Sequence, residues 1–423
     1  MNPSAAQPAL AAQDGTASLL PHLRALRALQ AVAAQGSTVA AAQAAHLSQP
    51  AITRGIHRLE QVCGQLLFVR TTRGMRPTEQ GQQLAQRTER MLGLLQTGAR
   101  EAMALDAGLR ARPHAAQRFA HSVTSSQVRA FVAVAACGSE AQAAAQICVS
   151  QPAVHAVLQE LEHLLDIGLF YKLRSGTRLT PPGEALLLRV KQAVAELRGM
   201  DADMALWHGE TRGRVVLGVL PLSAPIFLPR ALQALMSLHP AVQATIIDGT
   251  YEDLMRHLMS ADIDAVVGAL RADVSAAEFL QHELFDDELV IVAHRDHPCF
   301  ERQGLQLGDL LRWPWVLPLP HSPADRILRA VFAQHGLPAP GDRLCAGSPT
   351  ITQSLVLQSG MLCITSRGQV LLGEHGGALR IVPVGLPRTG RRIGLTTRAT
   401  TALSPDLRAF IDCCRKVARQ AAA

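Results

Sequence analysis

Apolar residues recur at helical spacing early in the chain, where Leu26, Leu29, Val32 and Ala33 share one face of a helix. Gly36 stops that helix by accepting the left-handed conformation of a C-cap. Ser37 caps a second helix that runs through an alanine-rich stretch to about His46. Ser48 caps a third, with Pro50 in its first turn, where a missing N–H costs nothing. Ile52, Ile56 and Leu59 line one face of the third helix, and a hairpin from Leu67 to Thr78 follows with Arg70, Arg73 and Arg76 in it. Three short helices and a basic hairpin predict a winged helix-turn-helix. A plain three-helix bundle leaves the basic wing unexplained.

The pattern returns 102 residues later without a gap. Ser48-Gln49-Pro50-Ala51 with Leu59-Glu60 is answered by Ser150-Gln151-Pro152-Ala153 with Leu161-Glu162. Gly36-Ser37 matches Gly138-Ser139, Leu67-Phe68 matches Leu169-Phe170, and Arg76, Thr78 and Gly81 match Arg178, Thr180 and Gly183. A constant register marks a repeated structural unit. Each unit leads into a long helix. Gln82 to about Asp106 places Leu84, Thr88, Met91 and Leu95 on one face. Glu184 to about Trp207 places Leu187, Val190, Val194, Leu197 and Met204 on a heptad seam. The segment between, with Arg112-Pro113, spans up to roughly 60 Å if extended, enough to fold one linker helix back on the other. An intrachain pair of heads is therefore expected, with pairing of like units between chains as the alternative.

From Arg214 onward the pattern changes to short β-rich runs between helical segments. They are Val215 to Val219, Thr245 to Ile247, Ile263 to Gly268, Leu289 to Ala293, Trp315 to Leu317, Cys363 to Ser366 and Arg392 to Thr396. Such alternation argues for parallel α/β sheets. The expected class is a multidomain α+β and α/β chain: two winged helix-turn-helix domains plus a two-lobed α/β domain. The boundaries read as a flexible tail at 1–20, winged units at 21–80 and 125–183, linker helices at 81–107 and 184–210, and a connector at 108–124. The last domain spans 211–423, with one lobe at about 212–291 and 383–423 and the other at about 292–382.

Charge separates the two units. The chain carries a formal +7 with only 18% charged residues, so the surplus matters only where it concentrates. From Ser48 to Arg76 five arginines face one glutamate, whereas from Ser150 to Arg178 three cations face three acids. In the third helix Gln49, Thr53, Arg54 and Arg58 are candidates for DNA base edges, since Gln and Arg pair bidentately with adenine and guanine. Arg70, Arg73 and Arg76 suit phosphates. In the second unit His155 replaces Thr53, Ala156 replaces Arg54 and Glu160 replaces Arg58. Losing one base-reading arginine costs about 1–3 kcal/mol of discrimination. Gln151, His155, Lys172, Arg174 and Arg178 form the weaker candidate set, with pH sensitivity available at His155.

Other chemistry is sparse. The eight cysteines include no CxxC pair and read as buried or free cytosolic thiols. His294-Arg295-Asp296-His297 reads as a solvated hinge rather than a metal site. No nucleophile elbow, Walker motif or paired-carboxylate arrangement stands out, so no enzyme and no cofactor are expected. The first 20 residues lack a signal-peptide pattern, and no uncharged apolar run reaches the roughly 18 residues that span a bilayer. A soluble, cytoplasmic chain without a membrane partner is expected.

Gly-Ser, Ala-Ala, Ser-Gln-Pro-Ala, Leu-Glu, Leu-Phe, a basic residue, then Thr and Gly resemble the signature of LysR-type transcriptional regulators, in both copies. The resemblance implies binding to double-stranded DNA from Ser48, Gln49, Pro50, Thr53 and Arg54, although Ser is common in the family where Thr53 stands here. It implies linker helices paired antiparallel between two subunits, a homo-oligomer, RNA polymerase as a further partner, and a small-molecule effector in a periplasmic-binding-protein-like domain. Arg214 to Gly218 with Leu228-Pro229, and Asp262-Ile263-Asp264 with Gly268, resemble that domain's recurrent motifs. Phe285 to Leu289 is similar to the run that leads to its crossover, near Ala293 to Pro298. Residues Leu310 to Pro318 resemble the branch responding to sugars or aromatic-catabolism acids. In such domains the effector, an organic acid or sugar, sits at strand ends and helix N-termini. Ser223, Thr250, Ser322, Ser348 and Thr365 are the candidates, each able to serve equally as an ordinary helix cap.

Overall fold

The computed structural model describes residues 18–45, 47–72, 74–106, 114–173, 176–222, 227–341, 343–371 and 377–422. The first winged unit consists of α1 (Leu23–Gln35), α2 (Thr38–Ala44), α3 (Gln49–Cys63), β1 (Phe68–Thr71) and β2 (Gly74–Pro77), and runs into the long α4 (Glu79–Ala104). Ser37 and Ser48 cap as the sequence predicts, and Thr78, expected only as the end of the hairpin, caps the long helix, which starts at Glu79 rather than Gln82. Ser37 accepts from the Ala40 amide, Ser48 from Ala51 and Thr78 from Gly81, while Gly36 closes α1 with φ 65°. α2 stops at Ala44, before His46, which lies outside the described residues. Leu19 and Leu20, read as tail, are buried in the core of this unit.

A connector helix, α5 (Ala115–Ser122), precedes the second unit: α6 (Ser125–Cys137), α7 (Glu140–Gln146), α8 (Gln151–Leu165), β3 (Phe170–Leu173), β4 (Gly176–Leu179) and the long α9 (Pro181–Trp207). The connector is thus partly helical rather than extended. Arg27 of α1 is buried and donates to the carbonyls of Ala120 at 3.1 Å and Val123 at 2.7 Å, which ties the first unit to the start of the second. Burial, with Arg24 nearby, lowers the Arg27 guanidinium to about 10, so it remains cationic at neutral pH.

Four of the repeated pairs, Gly36/Gly138, Glu60/Glu162, Thr78/Thr180 and Gly81/Gly183, are scaffold. The Gly36 carbonyl receives the wing amide of Met75 and the Gly138 carbonyl that of Thr177, each at 2.8 Å. Glu60 accepts from the Leu67 amide at 3.0 Å, and Glu162 from that of Leu169 at 2.7 Å. Thr78 donates to the Leu66 carbonyl and Thr180 to that of Gly168, each at 2.8 Å. A Cβ on Gly81 or Gly183 would run into the carbonyl oxygen of Leu67 or Leu169.

α4 and α9 pack antiparallel within the one chain. Trp207 donates to Gln83 at 2.9 Å near one end, Arg87 bonds Asp203 and Glu196, and Arg189 meets Glu101 at 2.8 Å near the other. Of the expected seam, Val190, Val194 and Leu197 are buried in the shared core together with Leu186, Ala193 and Met200, while Leu187 and Met204 are only partly buried. The expected seam holds in its middle and drifts at its ends because α9 is covered on a second side, where Gln192 reaches the Met259 carbonyl and Glu196 the Ala402 amide. Periodicity alone then fits more than one stripe. One continuous apolar core runs through both winged units and both long helices.

The last domain comprises β5 (Gly213–Val219), α10 (Leu228–Leu238), β6 (Val242–Asp248), α11 (Tyr251–Met259), β7 (Ala265–Ala269) and β8 (Phe279–His294). It continues with α12 (Pro323–Gln334), α13 (Pro349–Ser359), β9 (Cys363–Ser366), α14 (Arg367–Leu371), β10 (Leu379–Ile381), β11 (Gly390–Arg398) and α15 (Pro405–Ala422). β5 pairs parallel with β6 and β7, and β11 runs antiparallel to β7 and β8. The 16-residue β8 serves both lobes. Phe279 to Glu288 pair with β11, and from Leu289 onward the strand pairs antiparallel with β9 and β10. The crossing therefore falls at Glu288/Leu289, inside a strand, and not near Ala293 to Pro298. The named strands of the second lobe pair antiparallel, against the all-parallel expectation, and Trp315 and Leu317 contribute isolated parallel bridges.

The stretch read as a solvated hinge is partly inside. His297 is buried, with one ring nitrogen accepting from the Cys299 amide and the other donating to the Gly360 carbonyl, each at 3.1 Å. Among the described residues, no helix is long and apolar enough to cross a membrane.

Candidate nucleic-acid interface

α3 buries Ile52, Ile56 and Leu59 and leaves Ser48, Gln49, Pro50, Thr53, Arg54 and Arg58 exposed around its N-terminal half. The Ser48 hydroxyl is spent on the cap. Thr53 donates to the Gln49 carbonyl at 3.1 Å, and the Gln49 amide donates to the Thr38 hydroxyl at 3.4 Å, which aims Gln49 across the surface toward the start of α2. On the wing, Arg70 and Arg76 are exposed on β1 and β2. Arg73 lies outside the described residues. Among the described residues no ion pair engages Arg54, Arg58, Arg70 or Arg76. Four guanidinium groups held open on one helix and its wing form a surface for a polyanion.

On the equivalent surface of the second unit one cation is paired off. Gln151, Ala156 and Glu160 are exposed on α8, but His155 is half-buried, with Nδ1 3.1 Å from Glu140 Oε2. Lys172 on β3, the counterpart of Arg70, lies 3.2 Å from His155 Nδ1 and 3.7 Å from Glu140 Oε1. Arg178 is exposed on β4, and Arg174 lies outside the described residues. The wing also exposes Tyr171 and Leu173 by about half, at 53% and 50%. Glu140 lies upstream of the stretch from Ser150 to Arg178 whose charges balance. The register would have found it, since Glu140 stands 102 residues after Thr38.

The candidate effector positions fall at helix starts. Thr250 caps α11, Ser322 caps α12 and Ser348 caps α13, each accepting from the amide three residues on. Thr365 is buried at the end of β9 and donates to Gln369. Ser223 lies outside the described residues. The structure adds a cluster at the lobe crossing. Asp287 accepts from the Ser366 hydroxyl at 2.8 Å and the Gly368 amide at 3.4 Å and pairs with Arg391, while Gln369 reaches across to the Pro221 carbonyl at 3.2 Å. Sequence reading treated Asp287 as part of a run and gave no sign of this hub.

A second hub joins the long helices to the first lobe. Arg87 and Glu196 are buried against each other at 3.1 Å, and Arg87 also reaches Asp203 and the carbonyls of Ala402 and Leu403. Burial alone would lower the Arg87 guanidinium, but Asp203 and Glu196 raise it above its ordinary value. Nearby, Lys191 pairs with Asp262. Burial would raise the Asp262 carboxyl, but His257, Lys191 and Ser260 hold it down at about 2. Asp264 instead accepts from the Val216 amide at 2.8 Å. The Asp-Ile-Asp motif is therefore structural, one acid facing the linker helix and the other the sheet.

Comparison with known proteins agrees with this architecture. The family model described as the bacterial regulatory helix-turn-helix protein, lysR family, matches residues 23–82 and 125–184, and the LysR substrate binding domain matches 208–419. The regulator GalR of Pseudomonas putida is 32% identical over 398 residues, covering 94% of this chain and 98% of that protein, a span that takes in both winged units. PcaQ of Agrobacterium fabrum is 28% identical over 292 residues, covering 69% of this chain and 94% of its own. The fold is shared with a full-length OxyR from Pseudomonas aeruginosa at a TM-score of 0.51 and 20% identity, over 69% of this chain and 97% of that one. With a winged DNA-binding face, a two-lobed domain and these matches in agreement, the chain belongs to the LysR family and is a ligand-responsive, DNA-binding transcription regulator.

Proposed function

We propose that the first winged unit reads the operator and that the second serves as its intrachain partner. The observation that carries this is the contrast on one frame: Arg54, Arg58, Arg70 and Arg76 stand open in the first unit, while in the second Ala156 and Glu160 occupy the matching helix positions. Gln49, Pro50, Thr53, Arg54 and Arg58 face the bases, Ser48 caps the reading helix, and the wing arginines Arg70, Arg73 and Arg76 meet phosphates. Gln151, His155, Lys172, Arg174 and Arg178 give at most weak, sequence-independent contact. The antiparallel α4–α9 pair supports an intrachain pseudo-dimer of heads.

The effector is a small organic acid or sugar that closes the two lobes and shifts how the heads sit on a promoter. Supporting this are the helix starts at Thr250, Ser322 and Ser348, where the amides not taken by the cap favour an anion; Thr365 and Ser223 are the remaining candidates. The stretch Leu310 to Pro318 supports the sugar or aromatic-acid branch. Homo-oligomers and RNA polymerase complete the partners; the chain acts without a cofactor, as a regulator rather than an enzyme.

Salt-titrated duplex binding tests the assignment. Arg54→Ala should relax base preference, whereas Arg70→Ala should weaken all sequences alike and reduce the salt slope by about one. Unchanged sequence preference in Arg54→Ala refutes the reading-helix assignment. A second reading, in which the second unit is a protein interface, draws on the exposed Tyr171 and Leu173 and predicts that Tyr171→Ser alters assembly while leaving the footprint unchanged.

A further inference from the structure

We propose that Glu140 is a charge latch on the second winged unit, holding Lys172 and His155 in place and so suppressing duplex binding by that unit. The inference rests on the DNA-binding reading above. The two units share one frame, so matched positions can be compared directly. Where the first has Thr38, Thr53 and Arg70, the second has Glu140, His155 and Lys172. In the first unit Thr38 receives the Gln49 amide at 3.4 Å and Arg70 stays open. In the second, a carboxylate only 13% exposed occupies the same corner, 3.1 Å from His155 Nδ1 and 3.7 Å from the Lys172 ammonium.

Glu140 is not needed to start its helix, because Ser139 caps α7 by accepting from the Gln142 amide. Its side chain is spent on the wing and on the reading helix. Lys172 is 64% exposed, so the contact is weak enough to yield. A phosphate approaching Lys172 must nevertheless displace the carboxylate or share the cation with it, and meets repulsion in either case. Glu160, exposed on α8, adds negative charge, but among the described residues it forms no ion pair or hydrogen bond with Lys172 or His155.

The test uses the full chain and a random-sequence duplex, read by fluorescence anisotropy across a salt series at one fixed pH. Glu140→Thr installs the residue of the first unit and should tighten binding roughly threefold to tenfold, steepening the salt slope by about one. Glu140→Gln, which keeps the side-chain shape, should do the same and guards against misfolding in the first variant. Lys172→Gln alone should change little, and adding it to Glu140→Thr should abolish the gain. An unchanged affinity in both Glu140 variants overturns the latch, as does a gain that survives Lys172→Gln, or one that Glu160→Gln reproduces with the same dependence on Lys172. Arg70→Ala run in parallel separates the two levels, since it should weaken binding to any duplex: loss there without gain at Glu140 overturns the latch alone. Indifference to every substitution overturns the DNA-binding reading with it.

Discussion

In the first winged unit the Gly36 carbonyl holds the wing, Glu60 holds the chain after the reading helix, and Gly81 lets α4 pass close to Leu67. In the second, Gly138, Glu162 and Gly183 do the same work with nearly the same distances. The surfaces do not agree. One helix carries Arg54 and Arg58, the other Ala156 and Glu160, and Arg70 stands free where Lys172 is held. Residues whose atoms close the frame are repeated, because each satisfies a backbone group or a tight approach that the fold cannot do without. Residues that meet an outside partner are free to drift when one of two heads does the reading.

The sharpest break in the comparison is at the joint between the units and the first lobe. Arg87→Ala leaves the fully buried Glu196 without its buried partner and should destabilise the chain by about 3–5 kcal/mol. Chemical denaturation checks it, and a shift below about 1 kcal/mol would show that the hub is not a joint. Next come the matched glycines. Gly81→Ala and Gly183→Ala should each cost up to about 3 kcal/mol, because a backbone carbonyl must move in both. Unequal thermal shifts would mean that the frames are less alike than their hydrogen bonds.

Acid probes the tie between α9 and the first lobe. The Asp262 carboxyl sits at about 2, below its ordinary 3.8. A depressed carboxyl adds stability that is full above about pH 4 and is lost as pH falls toward 2. Over that window the loss is about 2 kcal/mol. Lys191→Met should flatten this part of the stability curve, and an unchanged acid limb in the variant would sever the tie. The smallest effect concerns binding. Arg58→Ala should weaken duplex binding by about 1 kcal/mol or less, whereas Glu160→Gln in the second unit should strengthen it slightly; anisotropy at low salt resolves the two signs.

Much of the frame was legible because its signals are local. Ser37, Ser48, Thr78 and Thr180 announce helix starts within three residues, and Gly36 and Gly138 announce ends. Elements set by distant partners were not. The polar first half of β8, from Gln281 to Glu288, becomes strand because β11 pairs along it, and α9 hides its seam because two neighbours cover it. Arg27 gives no hint in sequence that Ala120 and Val123 await it. On the candidate face, the open arginines of the first unit were legible from charge and register. On the second, register alone places Glu140 where Thr38 stands, but not its pairing with residues 15 and 32 positions away.

The continuous core also sets which experiment is clean. Deleting residues 1 to 107 would expose the apolar surface shared by both heads, so matched point substitutions must replace truncation. The most direct measurement is selection of preferred sites from a random duplex library by the intact chain, by a Gln49→Ala, Arg54→Ala variant and by a Gln151→Ala variant. The expected result is that the first pair of substitutions changes or erases the selected sequence while Gln151→Ala leaves it as in the parent chain. An equal change from both sites would contradict a single reading head.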